Sequence, residues 1–411
     1  MADSIQVKSK AERMGGLSEQ QRDCLGWNAA VNLITPMRCR RFTRWRRAAF
    51  MWWLQRAWMV NGARHLGLTS VQPVDESFKR LNHLHFARWS IVHRFPRPAG
   101  AQRETGRFTL LLFTSYFDFG WRNYLGIFIE TTGNRLAKLW GDTPEWRYPS
   151  AGFRQFENFV VDQQVEHGHL FAAFPALAAN DIHSAVRLHR DITAHHRTQD
   201  WLRSLGIEGE EQARARDWAL LRRVQNCLGS LPSRVPIPPG AHVEVERARA
   251  QHGLTALLPF DHRRRVEMQN VLDRLPVGVE AMDDLPVGFP SPFAALPGTH
   301  YARLASIGNE YFERRSIPPL KNAYLLLSAE IDGSADDWLA NLARVAELEA
   351  VWRICYGYTD PNSLPALVSL CRIKPSVEYI DYPGVTVEEI AEAMSVVNDE
   401  RDMMLRRVTE Q

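Results

Sequence analysis

No apolar run in the 411-residue sequence approaches the ~20 residues that span a bilayer. Met1-Ala2-Asp3-Ser4 also lacks the basic-then-apolar layout of a signal peptide. Cysteine is scarce: five residues (Cys24, Cys39, Cys227, Cys355, Cys371), an odd number with no C-x-x-C or zinc-ligand spacing, read as reduced thiols. There is no G-x-S-x-G, no phosphate-binding glycine loop and no zinc-hydrolase motif, so a hydrolase or a nucleotide enzyme is unsupported. A formal charge of +3 is too small to argue for nucleic acid as a partner. These absences predict a cytoplasmic chain.

Acidic residues are missing from one long stretch. None occurs between Asp23 and Asp75, where Arg38, Arg40, Arg41, Arg44, Arg46, Arg47, Arg56 and Arg64 fall. A helix is expected over 41–60, carrying Phe42, Trp45, Phe50, Trp52, Trp53 and Trp58 and stopped by Asn61-Gly62. Either it packs on the rest of the chain, or it lies in the interface at the inner face of a membrane, giving peripheral contact through residues 38–60.

What the sequence does have is 45% hydrophobic and 24% charged residues, enough for sizeable cores, and an internal repeat. His85-Phe86-Ala87-Arg88-Trp89 returns as His300-Tyr301-Ala302-Arg303-Leu304. Leu110-Leu111-Leu112 and Asp118 are echoed by Tyr324-Leu325-Leu326 and Asp332, Tyr124-Leu125 by Trp338-Leu339. Phe174-Pro175 and Asp181-Ile182 answer Tyr382-Pro383 and Glu389-Ile390. The expected division is a basic, Trp-rich helical extension over 1–75, repeats over 76–197 and 298–411, and a connector over 198–297 broken by prolines. Each repeat reads as strand, strand, helix, helix, strand, helix. In the first, strands are expected at 83–95, 108–117 and 169–174, helices at 121–139, 153–164 and 180–192. In the second, strands are expected at 323–329 and 377–380, a helix at 334–345, and Thr386-Val387-Glu388-Glu389 opens the last helix as a capping box does.

The fold class expected is α+β. The order of elements resembles ferredoxin-like halves paired into a pseudo-symmetric barrel, as in the dimeric α+β barrel superfamily, and within it the dye-decolorising peroxidases. Ala329-Glu330-Ile331-Asp332-Gly333 matches all but the first glycine of that family's Gly-x-x-Asp-Gly motif, whose aspartate sits beside the haem iron. Ser115-Tyr116-Phe117-Asp118-Phe119 matches only the aspartate, and the family carries the motif in its first repeat rather than its second. The resemblance implies a haem-dependent, peroxidase-like oxidoreductase acting on a small organic substrate or peroxide. The competing expectation is a cofactor-free barrel that binds an apolar ligand and is membrane-associated through its N-terminal helix. Self-association is left open.

Of fourteen histidines, the pair in Glu166-His167-Gly168-His169 occurs in one repeat only, as a single cofactor or metal would require. His167 and His169 therefore lead as haem or metal ligands, with His85 and His300 behind them. His83 and His85 are two apart on a strand and should share a face, with Arg88 and Arg303 opposite His85 and His300. Asp118, Asp332, Arg88 and Arg303 are the catalytic expectations, the arginines as partners of a propionate or a bound peroxide. The alternative for each aspartate is a helix N-cap, and for each buried histidine a bond to the backbone. Leu110, Leu112 and Phe113 are expected to line the interior.

Overall fold

The computed structural model describes residues 24–25, 28–37, 49, 51–52, 83–104, 109–118, 121–132, 140–141, 143, 146, 153–165, 168–205, 235, 237–242, 251–276, 291–309 and 319–409. Its described strands form two antiparallel sheets. The first runs β1 (Cys24–Leu25), β2 (Asn28–Met37), β4 (Thr109–Asp118), β3 (Leu84–Val92), β9 (Pro375–Ile380); the second runs β5 (Gly168–Ala172), β7 (Thr299–Ile307), β8 (Ala323–Asp332), β6 (Gln251–Phe260). Among the described residues the helices are α1 (Trp121–Thr132), α2 (Phe153–Gln163), α3 (Ala179–Leu205), α4 (Arg265–Asp273), α5 (Ala335–Leu342), α6 (Glu349–Trp352), α7 (Leu364–Cys371) and α8 (Val387–Thr409). The protein is thus α+β.

Both halves pass through the same order: edge strand, two central strands, helices, a short strand, a long helix. The short strand of each half leaves home. β5 pairs with β7 of the second half, and β9 pairs with β3 of the first. The sheets approach each other at both seams through single bridges, Leu33 to Gln164 and Ala256 to Arg372. Described strand pairing therefore gives two sheets rather than the continuous barrel expected from the sequence.

Besides the two-residue β1, two strands fall where no strand was expected. β2 lies within the span read as a helical extension, and β6 within the proline-broken connector. Each carries a proline near its end, Pro36 opposite Leu110 and Pro259 opposite Tyr324. Proline is tolerated because β6 has a ladder on one side only, and β1 reaches β2 only at Asn28 and Ala29. Of the helix expected over 41–60, Ala49, Met51 and Trp52 are described, and all three are helical. Met51 is buried in the apolar layer outside the first sheet, whereas Trp52 is 60% exposed. The rest of that stretch and residues 133–139 of the helix expected at 121–139 lie outside the described residues.

Alternation along the strands separates inner from outer faces. Leu111, Phe113 and Phe117 of β4 pack with Tyr124, Leu125 and Phe128 of α1 and Phe156, Phe159 and Val160 of α2. This outer layer is aromatic, with Trp89 and Phe113 rings 4.5 Å apart, a contact adding ~0.5–1.5 kcal/mol beyond the area it buries. Leu110 and Leu112 face inward, toward Leu257 and Leu326 of the opposite sheet. Phe113 does not line the interior, since it is one residue out of phase with them. Outside the second sheet the layer is mainly aliphatic: Leu254, Ala256 and Leu258 of β6 and Leu325 and Leu327 of β8 under Leu339, Leu342, Leu367 and Val368 of the helices.

Candidate functional site

A bulge opens each central strand at the same place. Leu84 pairs with Phe117 and Phe86 with Tyr116, so His85 is the extra residue; Thr299 pairs with Ile331 and Tyr301 with Glu330, so His300 is its counterpart. An extra residue re-aims its side chain. It turns His85 inward, where its ring lies 5.4 Å from that of Tyr301 and 5.9 Å from that of Tyr382. The expectation that Arg88 stands on the face opposite His85 fails for this reason, because strict alternation does not survive a bulge. Arg88 shares the interior with Phe86.

His85 Nε2 donates to Asp118 Oδ1 at 2.6 Å, and Ala179, the first residue of α3, donates its amide to Asp118 Oδ2 at 2.8 Å. Asp332 repeats this, accepting from His300 Nε2 at 2.8 Å and from the amide of Val387, the first residue of α8, at 2.7 Å. Each aspartate does meet a helix N-terminus, but that of the distant long helix. α5, which follows Asp332, is capped by Ser334, whose Oγ accepts from the Asp337 amide. Gly333 adopts φ 77°, a left-handed turn that favours glycine, so the Asp332-Gly333 pair is accounted for by chain reversal. Tyr382 Oη lies 3.2 Å from His85 Nδ1. Tyr301 donates to Asn28 Oδ1, and Asn28 Nδ2 donates to the carbonyls of Phe174, Pro175 and Leu177.

The arginines lie deeper. Arg88 Nη1 is 3.0 Å from Glu330 Oε1 and 3.3 Å from Glu378 Oε1, and Arg88 Nη2 donates to Ser328 Oγ and to the Leu254 carbonyl. Burial, and the neighbouring Glu378, push Glu330, 4% exposed at its side chain, up to about 8 against the pull of Arg88. Arg303 Nη2 donates to the Val165 carbonyl at 3.1 Å. The sheets are so close here that a Cβ on Gly253 would overlap the Arg88 guanidinium and the Glu378 carboxylate. Both arginines hold the sheets together.

His169 lies elsewhere. Its partner across the ladder is Leu304, whereas Leu170 is paired with inward-facing Arg303, so His169 is on the outer face. There Nε2 is 2.9 Å from Ser291 Oγ and the ring stacks on Phe293 at 5.7 Å. Burial lowers its pKa to about 4, so the imidazole is neutral at pH 7. His167 lies outside the described residues, and with it the His167–His169 pair as a metal site. Among the described residues no group of three His, Cys, Asp or Glu side chains could hold a metal ion.

Haem requires an open slot beside one donor nitrogen. His85 has both ring nitrogens in hydrogen bonds, His300 and His169 each have Nε2 so occupied, and Tyr116, Tyr301 and Arg88 fill the space between the sheets. Between the sheets the described residues leave no room for haem; His169, on the outer face, keeps Nδ1 without a hydrogen-bond partner among them.

No family model matches the chain, and no curated protein matches it.

An open space does exist on the outer side of the first sheet. A cavity of about 540 Å³ is lined by His83, Asp118, Asn123, Tyr124, Gly126, Ile127, Glu130 and Phe153. Asn123, Gly126, Ile127 and Glu130 recur at helical spacing and so share one face of α1. The Tyr124 ring is fixed by stacking on Phe117 at 3.9 Å, its hydroxyl by Ser115 Oγ at 2.9 Å, and burial raises its pKa, keeping the phenol neutral. Beside that sheet end a polar relay occurs in one half only. Tyr379 donates to Asp381 Oδ1 at 2.7 Å, and His183 Nε2 lies 2.7 Å from Asp381 Oδ2. Of these residues, the sequence had singled out Asp118 as a haem-side group and His83 only as a neighbour of His85. The periodicity of Asn123, Ile127 and Glu130 was the signal that could have marked the cavity wall.

Proposed function

We propose that the protein is a cofactor-free α+β protein that binds a small amphipathic molecule in the cavity beside α1. One observation carries this reading: Asp118, Asp332, His85, His300, Arg88 and Arg303, all expected to serve haem chemistry, are engaged in holding strands, sheets and helix ends together, while the 540 Å³ cavity offers Asn123, Glu130 and His83 against Tyr124, Ile127 and Phe153. That size and mixture suit a small organic ligand. The same proposal takes each half as a ferredoxin-like unit of an internally duplicated chain that exchanges its short strand with its sister. It places the chain in the cytoplasm; among the described residues no helix is long and apolar enough to cross a membrane.

Gly126 gives the test. A Cβ there meets nothing within 4 Å, so Gly126→Phe enters from an uncrowded position on the cavity wall and removes a helical glycine. Titration with Nile red should show saturable fluorescence in the parent and its loss in Gly126→Phe, with the thermal midpoint unchanged or raised. Identical dye binding by both would reject the cavity. A Soret band on haemin addition that disappears in His169→Ala would restore the haem reading instead.

A further inference from the structure

We infer that the cavity selects cationic amphiphiles, an ammonium group on an apolar tail, over anionic ones. This rests on the reading of the cavity as a binding site. The chain as a whole carries 50 Lys and Arg against 47 Asp and Glu, yet no Lys or Arg is among the described residues that line the cavity. Its ionisable members are Asp118, Glu130 and His83, with Tyr124 held neutral. Asp118 is committed to His85 and to the first amide of α3. Glu130 is therefore the carboxylate placed to meet a ligand: it is exposed, on the α1 face that lines the cavity, one helical step from Ile127 and Gly126.

The apolar side completes the fit. Phe153, 40% exposed, is an uncovered aromatic ring at the cavity, and the Tyr124 ring is immobilised by Phe117. An aromatic face attracts an alkylammonium through its quadrupole and repels a carboxylate. Ile127 and the open space above Gly126 receive the tail. A carboxylate ligand would meet Glu130, and no described lining residue offers a guanidinium or ammonium to balance it.

The test uses the full chain and three eight-carbon probes alike in tail: octylammonium, octanol and octanoate, each titrated calorimetrically. Octylammonium should bind about fivefold tighter than octanol, as one partly exposed carboxylate allows, and octanoate weaker than both. Glu130→Gln should erase the preference of octylammonium over octanol, and raised salt should narrow it. Equal affinity for all three, or a preference for octanoate, overturns the inference; if Gly126→Phe still abolishes that binding, the cavity reading survives alone. An ammonium preference that persists in Glu130→Gln likewise overturns it. If no probe binds, or if Gly126→Phe leaves binding intact, the cavity reading and the inference fall together.

Discussion

The two halves of the molecule agree at one set of positions and differ at another. They agree where a bulged histidine meets an aspartate that receives the first amide of a long helix: His85, Asp118 and Ala179 in one half, His300, Asp332 and Val387 in the other. They differ around the arginines. Beside Arg88 the ladder neighbour on the exchanged strand is Glu378, whereas beside Arg303 it is Leu170; Glu330 sits across from Tyr301, but Tyr116 sits across from Phe86. Elements common to both halves thus belong to the framework. The positions that differ decide where charge is buried. The candidate cavity belongs with the differences, since α1 meets an aromatic layer and α5 an aliphatic one.

The largest effects should come from the shared framework. Asp118→Ala and Asp332→Ala each strand a buried histidine and a helix amide, and each should cost ~3–5 kcal/mol, read as a lower urea midpoint. A loss confined to one of the two would break the equivalence of the halves.

Next is His169, whose counterpart place on the exchanged strand β9 has no histidine. Its pKa in the fold is lowered, so its neutral form contributes stability above the unfolded value of 6.5, and that contribution is lost as pH falls from 6.5 toward about 4. The loss should be on the order of 3 kcal/mol, a shift of about 2.5 units at 1.36 kcal/mol each. His169→Val should flatten stability over that interval. An unchanged pH profile would show that the ring titrates as if exposed.

The smallest expected effect is at the helix entries. Thr386 Oγ1 accepts from the Glu389 amide before α8, while before α3 the Asp181 carboxylate accepts from Ala178. Thr386→Ala should cost about 1 kcal/mol, and Asp181→Ala a similar amount, by thermal unfolding. A much larger loss for either would mean that its helix entry does more than cap.

The central strands were readable because β4 and β8 are continuous apolar runs buried on both faces, FTLLLFTSYF and AYLLLSA. β2 and β6 were not, because asparagine, glycine and proline interrupt them and hydropathy alone rejects them. The shared proline, Pro36 and Pro259, was the available clue to two edge strands. Exchange of β5 and β9 has no local signature: nothing in GHLFA or PSVEYI states which sheet will accept it. The bulge at His85 was equally hidden, and with it the interior position of that ring. The arginines were singled out as partners of a propionate or a bound peroxide; Arg88 instead meets Glu330, which was read only as a letter in a motif, and Arg303 meets the Val165 carbonyl. The cavity needed three separate segments, around His83, α1 and Phe153, to be brought together.

Exchange of the short strands has a consequence for synthesis. When β5 leaves the ribosome, its partner β7 has not yet been made, and β3 must wait for β9 near the end of the chain. The second sheet cannot be completed until β7 and β8 have been made, and the first until β9 has, so unpaired strand edges persist in the interval, and such edges invite association with other chains. Division of the gene between α3 and β6 should therefore yield two fragments that are insoluble apart and recover structure when they are made together.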